Sequence, residues 1–326
     1  MPRDSQNKIL IISNEFDPTA DCLVALFQHV GIECIRWPTT FFPLKSSLSV
    51  KIADGDVDGS IEIHGQTVPL SEIRSVWYRQ GHPFGVSSVL SPNEKKFAES
   101  ESNSAFSGLL RLVDCFWVNH PDKTRIASCK ASQLKVAQEL GFLVPKTLIS
   151  NDPDRVRGFF AECDGQIVYK AFASGFVPMG EKVCLTSPVS KEHLDNIHLI
   201  QTSAGIFQEN IHKQLDLRIT VIGSTVFAVE IHSQEHERSA QDWRAGNIED
   251  MRHCEHELPE QIKNLCLKFL DHFGLVFGAI DMILAPDGRY IFLENNPTGQ
   301  FGWIEGRTGL PLTAAVAEML IAGEVS

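Results

Sequence analysis

Residues 290–305 read YIFLENNPTGQFGWIE, an apolar strand that runs directly into a glutamate and two asparagines. A carboxylate at the end of a buried strand is costly unless a positive or protic group meets it. Upstream, 276–284 (VFGAIDMIL) reads as a partner strand, and Asp287 with Gly288 is a dipeptide suited to a two-residue hairpin turn. On that register paired positions sum to a constant, and Asp281 faces Glu294. Directly opposed side chains hold their Cβ atoms about 4.5–5.5 Å apart, where like charges repel unless a cation intervenes. Side chains alternate along a strand, so Asn296 shares the face of Glu294. Two carboxylates and an amide oxygen form a hard ligand set of the kind magnesium prefers, with waters and nucleotide phosphates completing its shell. A metal-free alternative has an arginine such as Arg307 capping one carboxylate while solvent covers the other.

The remaining chain narrows the function classes. Its 326 residues suffice for two or three domains around substantial cores. Acidic residues outnumber basic ones 41 to 29 with no basic run, which argues against nucleic acid as the main partner. No stretch reaches the roughly 18 apolar residues of a membrane span, and the N-terminal apolar segment is too short for a signal peptide. These features predict a cytoplasmic protein with no membrane partner. Eight cysteines without a C-x-x-C pair signal neither a zinc site nor a disulfide framework, and reduced, mostly buried thiols are expected.

The block from Lys8 to Trp37 alternates strand, helix and strand, with Leu23, Phe27 and Val30 at helical spacing, which predicts an α/β layer. A further strand is expected at 76–79, and Ser91, Pro92 and Glu94 form a capping box that opens a helix. No G-x-G-x-x-G follows the first strand, so this Rossmann-like block does not signal a dinucleotide. A helix beginning near Lys130 and closed by Gly141, a helix near Asp152, and the strand QIVYK follow. The last third reads as two hairpins, one turning at Gly223 and Ser224, separated by a helix at 259–272. We place domain boundaries to give segments 1–122, 123–206 and 207–326.

A magnesium–phosphate site also needs cations. Lys130 beside a helix and Lys170 at a strand end, before the small residues Ala173, Ser174 and Gly175, can supply them. G-x-x-x-x-G-K-[ST] is absent, which excludes a P-loop. The segment IFQENI breaks from an apolar strand into polar residues suited to an adenine edge. Taken in order, Lys130, IVYK, QENI at 208–211, DLRITVIG, AIDM and LENNP resemble the ATP-grasp superfamily. SVWYRQ at 75–80, FWVNHPD at 116–122, FAVEIHSQ at 227–234, DWR at 242–244 and NPTGQFGWIE at 296–305 extend the resemblance over nearly the whole chain. They make it closest to the microviridin-type graspetide ligases, which are maturases of ribosomal peptides.

The resemblance implies an ATP-grasp fold, of mixed α/β class, behind an N-terminal Rossmann-like pre-ATP-grasp domain. It implies that Lys130, Lys170 and Asp216 contact ATP and that Gln208, Glu209, Asn210 and Ile211 form the adenine hinge. Asp281, Glu294 and Asn296 bind Mg2+. Arg218, assisted by Arg244, neutralises the acyl phosphate and the tetrahedral intermediate. Arg79, His232 and Trp303 are expected substrate contacts; where the family often carries two arginines, Arg79 is followed here by Gln80. The partner is a precursor peptide with a leader and an acidic, hydroxyl-rich core, and the protein is a homodimer.

Such chemistry suits these residue types. Phosphorylating a carboxylate removes its repelling charge and supplies a leaving group, and phosphoryl transfer needs positioning and charge neutralisation more than covalent help. The developing oxyanion then needs a fixed donor. His232, Glu230 and Asp242 are the sequence's candidates for a base. HSQEH at 232–236 matches a metalloprotease pattern but leaves a strand where a helix is required, and HCEH at 253–256 reads as a solvated turn. Two other readings stay open: a ligase that adds free amino acids to a carboxylate, and a nucleotide-binding protein that recognises peptides without catalysis.

Overall fold

The computed structural model describes residues 7–79, 84–172 and 184–325. Gln80 and the small-residue loop of Ala173, Ser174 and Gly175 lie outside the described residues.

The first block forms a parallel sheet in the order Cys34–Pro38, Lys8–Ser13, Ile73–Tyr78, Phe116–Val118. KILIIS is apolar on both faces because both are covered, as parallel sheets require. Helix Pro18–Val30 is capped by the Asp17 carboxylate at its start and by Gly31 in the left-handed region at its end. Helix Pro92–Leu110 carries both halves of the Ser91/Glu94 capping box. A three-stranded antiparallel sheet, Ser46–Ala53, Asp56–Ile63 and Gln66–Pro69, is an addition the sequence reading missed. Its turns, Asp54-Gly55 and His64-Gly65, have positive φ at both residues, the type I′ geometry that favours such dipeptides.

The central sheet orders Ser187–Pro188, Ile167–Lys170, Gly205–Glu209, Thr147–Ser150, and packs on helix Pro153–Glu162 through Val156, Phe159 and Phe207. It extends through Glu209, past the expected boundary at 207. The last sheet is five-stranded and antiparallel, ordered His253–Glu255, Thr225–Ile231, Leu215–Ile222, Phe277–Leu284, Tyr290–Asn296. Gly223 and Ser224 close its first hairpin, since Ile222 pairs with Thr225. HCEH is thus an edge strand continuing to His256, not a solvated turn, because its backbone completes this sheet.

Helix Lys130–Leu140, expected in the central segment, packs instead with helix Glu260–Phe273 on the last sheet, where Val136, Ala137, Phe269 and Phe292 share one core. That packing carries Lys130 to the carboxylate hairpin. The closing helices, Gly302–Thr308 and Leu312–Ala322, reach back to the first sheet and bury Ile304, Leu312 and Leu320 with Ile9, Ile11 and Trp77. Among the described residues Cys163 and Cys266 are buried while Cys22 and Cys129 are exposed, so the thiols are less buried than expected.

Asn119 of the FWVNHPD motif joins the first block to the last. Its Nδ2 donates to the carbonyls of Phe277 and Pro297 at 2.8 and 2.9 Å, and its Oδ1 accepts from the amides of Val276 and Phe277 at 2.8 and 3.1 Å. Each buried polar group left unpaired costs about 1–3 kcal/mol. Asn119→Ala should therefore lower unfolding free energy by about 3 kcal/mol or more, read as a drop in the urea midpoint.

Candidate functional site

The hairpin of strands Phe277–Leu284 and Tyr290–Asn296 pairs Asp281 with Glu294, but through two departures from the expected turn. The loop holds three residues, 286–288: Ala285 N–H donates to Arg289 O, Gly288 N–H donates to Ala285 O, and Gly288 sits at φ +83°. A bulge then leaves Leu293 unpaired, since Met282 faces Phe292 while Asp281 faces Glu294. The shift from the turn and the shift from the bulge cancel at the carboxylates.

On the other side of Asp281 its cross-strand partner is Arg218. Arg218, Asp281 and Glu294 form one row across three strands. The cation that tolerates two opposed carboxylates flanks them rather than lying between. Arg218 Nε is 3.3 Å from Asp281 Oδ1, and Lys130 Nζ is 2.9 Å from Glu294 Oε2. Arg307 is elsewhere, 3.7 Å from Glu249, so it caps neither carboxylate. The Arg218–Asp281 pair is close yet misaligned. Arg218 Nε and Nη1 and Asp281 Oδ1 are buried without a hydrogen bond among the described residues. Buried groups of this kind are normally satisfied, so the row has spare valence for ligand oxygens and a cation.

The electrostatics are those of a charged cleft. Burial raises the Asp281 carboxyl above the ordinary aspartate range, with Glu294 adding to the rise and Arg218 opposing it. Burial acts to raise Glu294 too, but Lys130 and Lys170 outweigh it and hold that carboxyl below its usual value. Burial pushes the Lys170 ammonium down, opposed by Glu294. A cation bound at Asp281 requires the ionised carboxylate. Magnesium-dependent nucleotide binding should therefore fall on acidification with a midpoint above the ordinary aspartate value, and binding that stays constant to that value would contradict the assignment. Without metal the expected dependence of stability on pH has the opposite slope. A carboxyl raised on folding binds more protons in the native state, so its ionisation erodes stability as pH rises above the ordinary aspartate value.

Asp281 and Glu294 of the row open on a cleft between the central and last sheets, lined also by Lys170, Gln208, Asn210, Asp242 and Trp243. Gln208 is buried, with Nε2 donating to Thr147 Oγ1 and Oε1 unmatched. The amides of Glu209 and Asn210 donate to Lys146 O and Gln166 O, so both are already used. Ile211 lies beside Ile283 and Ile291. Asp216 accepts from Lys213 Nζ at 2.7 and 3.0 Å and from Ser233 Oγ at 2.5 Å. Lys213, buried and lining the cleft, escaped the sequence reading, because a lysine in a turn gives no periodic signal; its only trace is the i,i+3 spacing to Asp216.

Arg244 lines the cleft from a short 3-10 turn, donating to both oxygens of Asp242 at 2.9 and 2.8 Å. Burial acts to raise Asp242, but Arg244 prevails and holds it far below the carboxylate range, which makes it a poor base. Trp243 carries the Arg218 guanidinium 5.4 Å over its ring and packs 5.4 Å from Trp303. Glu230 and His232, the other base candidates, pair with each other at 2.9 Å and do not line this cleft. Asn296 is exposed at the strand end and accepts from Thr298 N–H at 3.3 Å, outside the cleft lining.

Arg79 sits beneath the 297–300 loop. It is 1% exposed, 3.1 Å from Asp17, and donates to Gly299 O at 3.0 Å, so in this structure its donors serve the fold. Breaking a buried ion pair by removing one partner costs about 3–5 kcal/mol. Asp17→Ala should cost that much in chemical denaturation; an unchanged midpoint would free Arg79 for another role.

Comparison with known proteins bears on family and fold. The model of the MvdD pre-ATP grasp domain matches residues 8–125 and that of the RimK-like ATP-grasp domain residues 127–320. The chain therefore belongs to the RimK-like ATP-grasp ligases, in the microviridin-type group that carries an MvdD pre-ATP-grasp domain. The macrocyclase MdnC from Microcystis aeruginosa MRC, bound with precursor peptide MdnA, is similar at 33% identity and TM-score 0.86, over 97% of this chain and 99% of that one. A RiPP-associated ATP-grasp ligase from Chryseobacterium gregarium, in complex with ADP and a leader and core peptide, has 30% identity and TM-score 0.90 over 97% of each chain. Macrocyclase MdnB from Microcystis aeruginosa MRC has 27% identity and TM-score 0.83 over 97% and 100%. No curated protein matched the sequence. The ATP-grasp fold expected from the sequence is the fold observed.

Proposed function

We propose that the protein is an ATP-dependent, ADP-forming ligase that activates Asp or Glu side chains of a ribosomal precursor peptide as acyl phosphates. It then joins them to Thr or Ser hydroxyls as esters, or to Lys amines as amides, closing a macrocycle. The observation that carries the reading is the row of Arg218, Asp281 and Glu294, half unsatisfied, facing Lys170 across the cleft. Relatives bound to a precursor peptide, or to ADP with leader and core peptides, support it.

Asp281 and Glu294, with Asn296 at the strand end, are the residues that would hold Mg2+, which supplies charge neutralisation for the phosphates. In the first step a substrate carboxylate oxygen bonds to the γ-phosphorus as the bridging bond to ADP breaks. Lys130 and Lys170 meet the phosphate charge, and binding frees Lys130 from Glu294. In the second step a hydroxyl or amine bonds to the acyl carbon, and the bond to phosphate breaks with loss of a proton. Arg218 faces the oxyanion formed there, and Trp243 with Asp242 and Arg244 walls the cleft against water. Asp242 is pinned and strongly acidic, so the departing phosphate is the nearest base for that proton.

The same proposal includes a homodimer in the cytoplasm. No helix among the described residues is long and apolar enough to cross a membrane. Light scattering checks the dimer. ADP release checks the activity: it should require a leader-bearing peptide. Release driven by free amino acids alone would favour the ligase that extends carboxylates, and no release with any acceptor would favour the non-catalytic reading.

A further inference from the structure

The two motifs left unexplained by the ligase reading come together on the sheet face opposite the nucleotide cleft. Glu230 and Cys254 are directly paired between strand Thr225–Ile231 and the edge strand His253–Glu255. His232 lies two residues beyond Glu230 and His256 two beyond Cys254. A period of two places all four side chains on one face. Leu217, the cross-strand partner of Glu230, belongs to the helix-covered core, whereas Arg218 shares the face of its partner Asp281, which lines the cleft.

The ligand atoms of Glu230, His232 and Cys254 lie within 4.8 Å of one another. Glu230 Oε2 is 2.9 Å from His232 Nε2, and Oε1 is 2.8 Å from His256 Nδ1. All are partly buried, with side-chain exposures of 22% for Glu230, 14% for His232 and 11% for His256. We propose that Glu230, His232 and Cys254 form a site for a borderline-soft divalent cation, with zinc the best match and His256 holding the Glu230 carboxylate from behind. One carboxylate, one imidazole and a thiolate are donors zinc takes, with a water in the fourth tetrahedral position, in contrast to the oxygen ligands of the cleft. C-x-x-C spacing misses such a site because its ligands alternate on two strands.

The surroundings accommodate the proton changes. Arg252 Nη2 is 2.7 Å from His232 Nδ1, and arginine only donates, so without metal His232 carries its proton on Nε2 and donates to Glu230. Metal at Nε2 moves that proton to Nδ1, facing Glu235 at 3.7 Å, while Arg252 keeps its existing bond to Glu235 at 3.1 Å. His256 stays outside the ion: its Nδ1 is 2.8 Å from Glu230 Oε1 and its Nε2 2.9 Å from Tyr290 Oη, so the ring is fixed and orients the carboxylate. Forming the metal–sulfur bond releases the Cys254 thiol proton. One proton leaves per ion bound.

Position gives the site a consequence. The chain leaves the sheet at His232, brings Asp242, Trp243 and Arg244 to the cleft, and returns at Cys254. The ion clamps both ends of that excursion and holds the cleft wall without touching nucleotide.

The test uses metal-stripped full-length protein in excess MgCl2, which fills the hard sites, titrated with ZnCl2 and separately with CoCl2. The expected result is one ion per chain, a thiolate-to-cobalt charge-transfer absorption, a higher melting temperature with zinc, and protection of Cys254 from alkylation in peptide mapping. Cys254→Ser should abolish the absorption, and His256→Gln should weaken zinc binding about 10–100-fold. Absorption that survives Cys254→Ser, or no saturable binding, overturns the site. Should the variant not fold, unprotected Cys254 in the native protein at saturating zinc overturns it equally. None of these readouts depends on ligase activity.

Discussion

Glu294→Ala is expected to abolish ATP-driven turnover. Glu294 ends the row and is the meeting point of Asp281 across the strands and Lys130 at 2.9 Å, so under the proposed function its loss removes a cation ligand and releases a phosphate-facing lysine at once. Removing one preorganised electrostatic partner costs about 10²–10³ in rate, and here two are disturbed. Stability should change little, because the carboxylate is part-exposed and its removal also relieves repulsion with Asp281. Glu294→Gln separates charge from shape: it keeps the side chain's length and should lose nearly as much activity. The measurement is ADP release together with the magnesium dependence of nucleotide binding. Retained turnover in the alanine variant would remove Glu294 from the metal site.

Arg218→Ala should behave differently, losing ligation by about 100-fold or more while nucleotide affinity changes far less. Arg218 is buried with two unmatched nitrogens, beside Asp281 and against Trp243, both of which line the cleft. A donor so placed acts on charge that appears during the reaction. The variant also strands Asp281, whose burial would then raise it further, so Arg218→Lys serves as the control that restores charge without the planar fork. Equal loss of nucleotide binding and ligation would move Arg218 from the reacting centre to the phosphates.

The legible parts of this molecule are those fixed by local chemistry. The 290–305 stretch is legible as a strand ending in a carboxylate and two amides, and Ser91, Glu94 and Asp152 mark helix starts that the structure keeps. The pairing of Asp281 with Glu294 was reached from a two-residue turn, although the chain uses a three-residue turn and a compensating bulge. Bulges depend on packing around the hairpin, which a periodic reading does not contain. Long-range placement was less legible. Nothing in the helix of Lys130 tells that it packs on the last sheet rather than the central one, and that packing is what sets Lys130 against Glu294. Arg79 read as a substrate contact because its partners, Asp17 and the carbonyls at 298 and 299, come from distant segments. HCEH read as a turn because a three-residue edge strand is too short to show alternation.

The central claim is that side chains of one peptide are joined to each other at the expense of ATP. The most direct measurement is the intact mass of a peptide encoded beside this gene, with its leader, after incubation with the purified protein, ATP and MgCl2. Loss of one or more waters, restored by mild alkaline hydrolysis where the new bonds are esters, is the predicted result. A gain by the mass of an amino-acid residue, or an unchanged peptide while ADP accumulates with free amino acids, would contradict it.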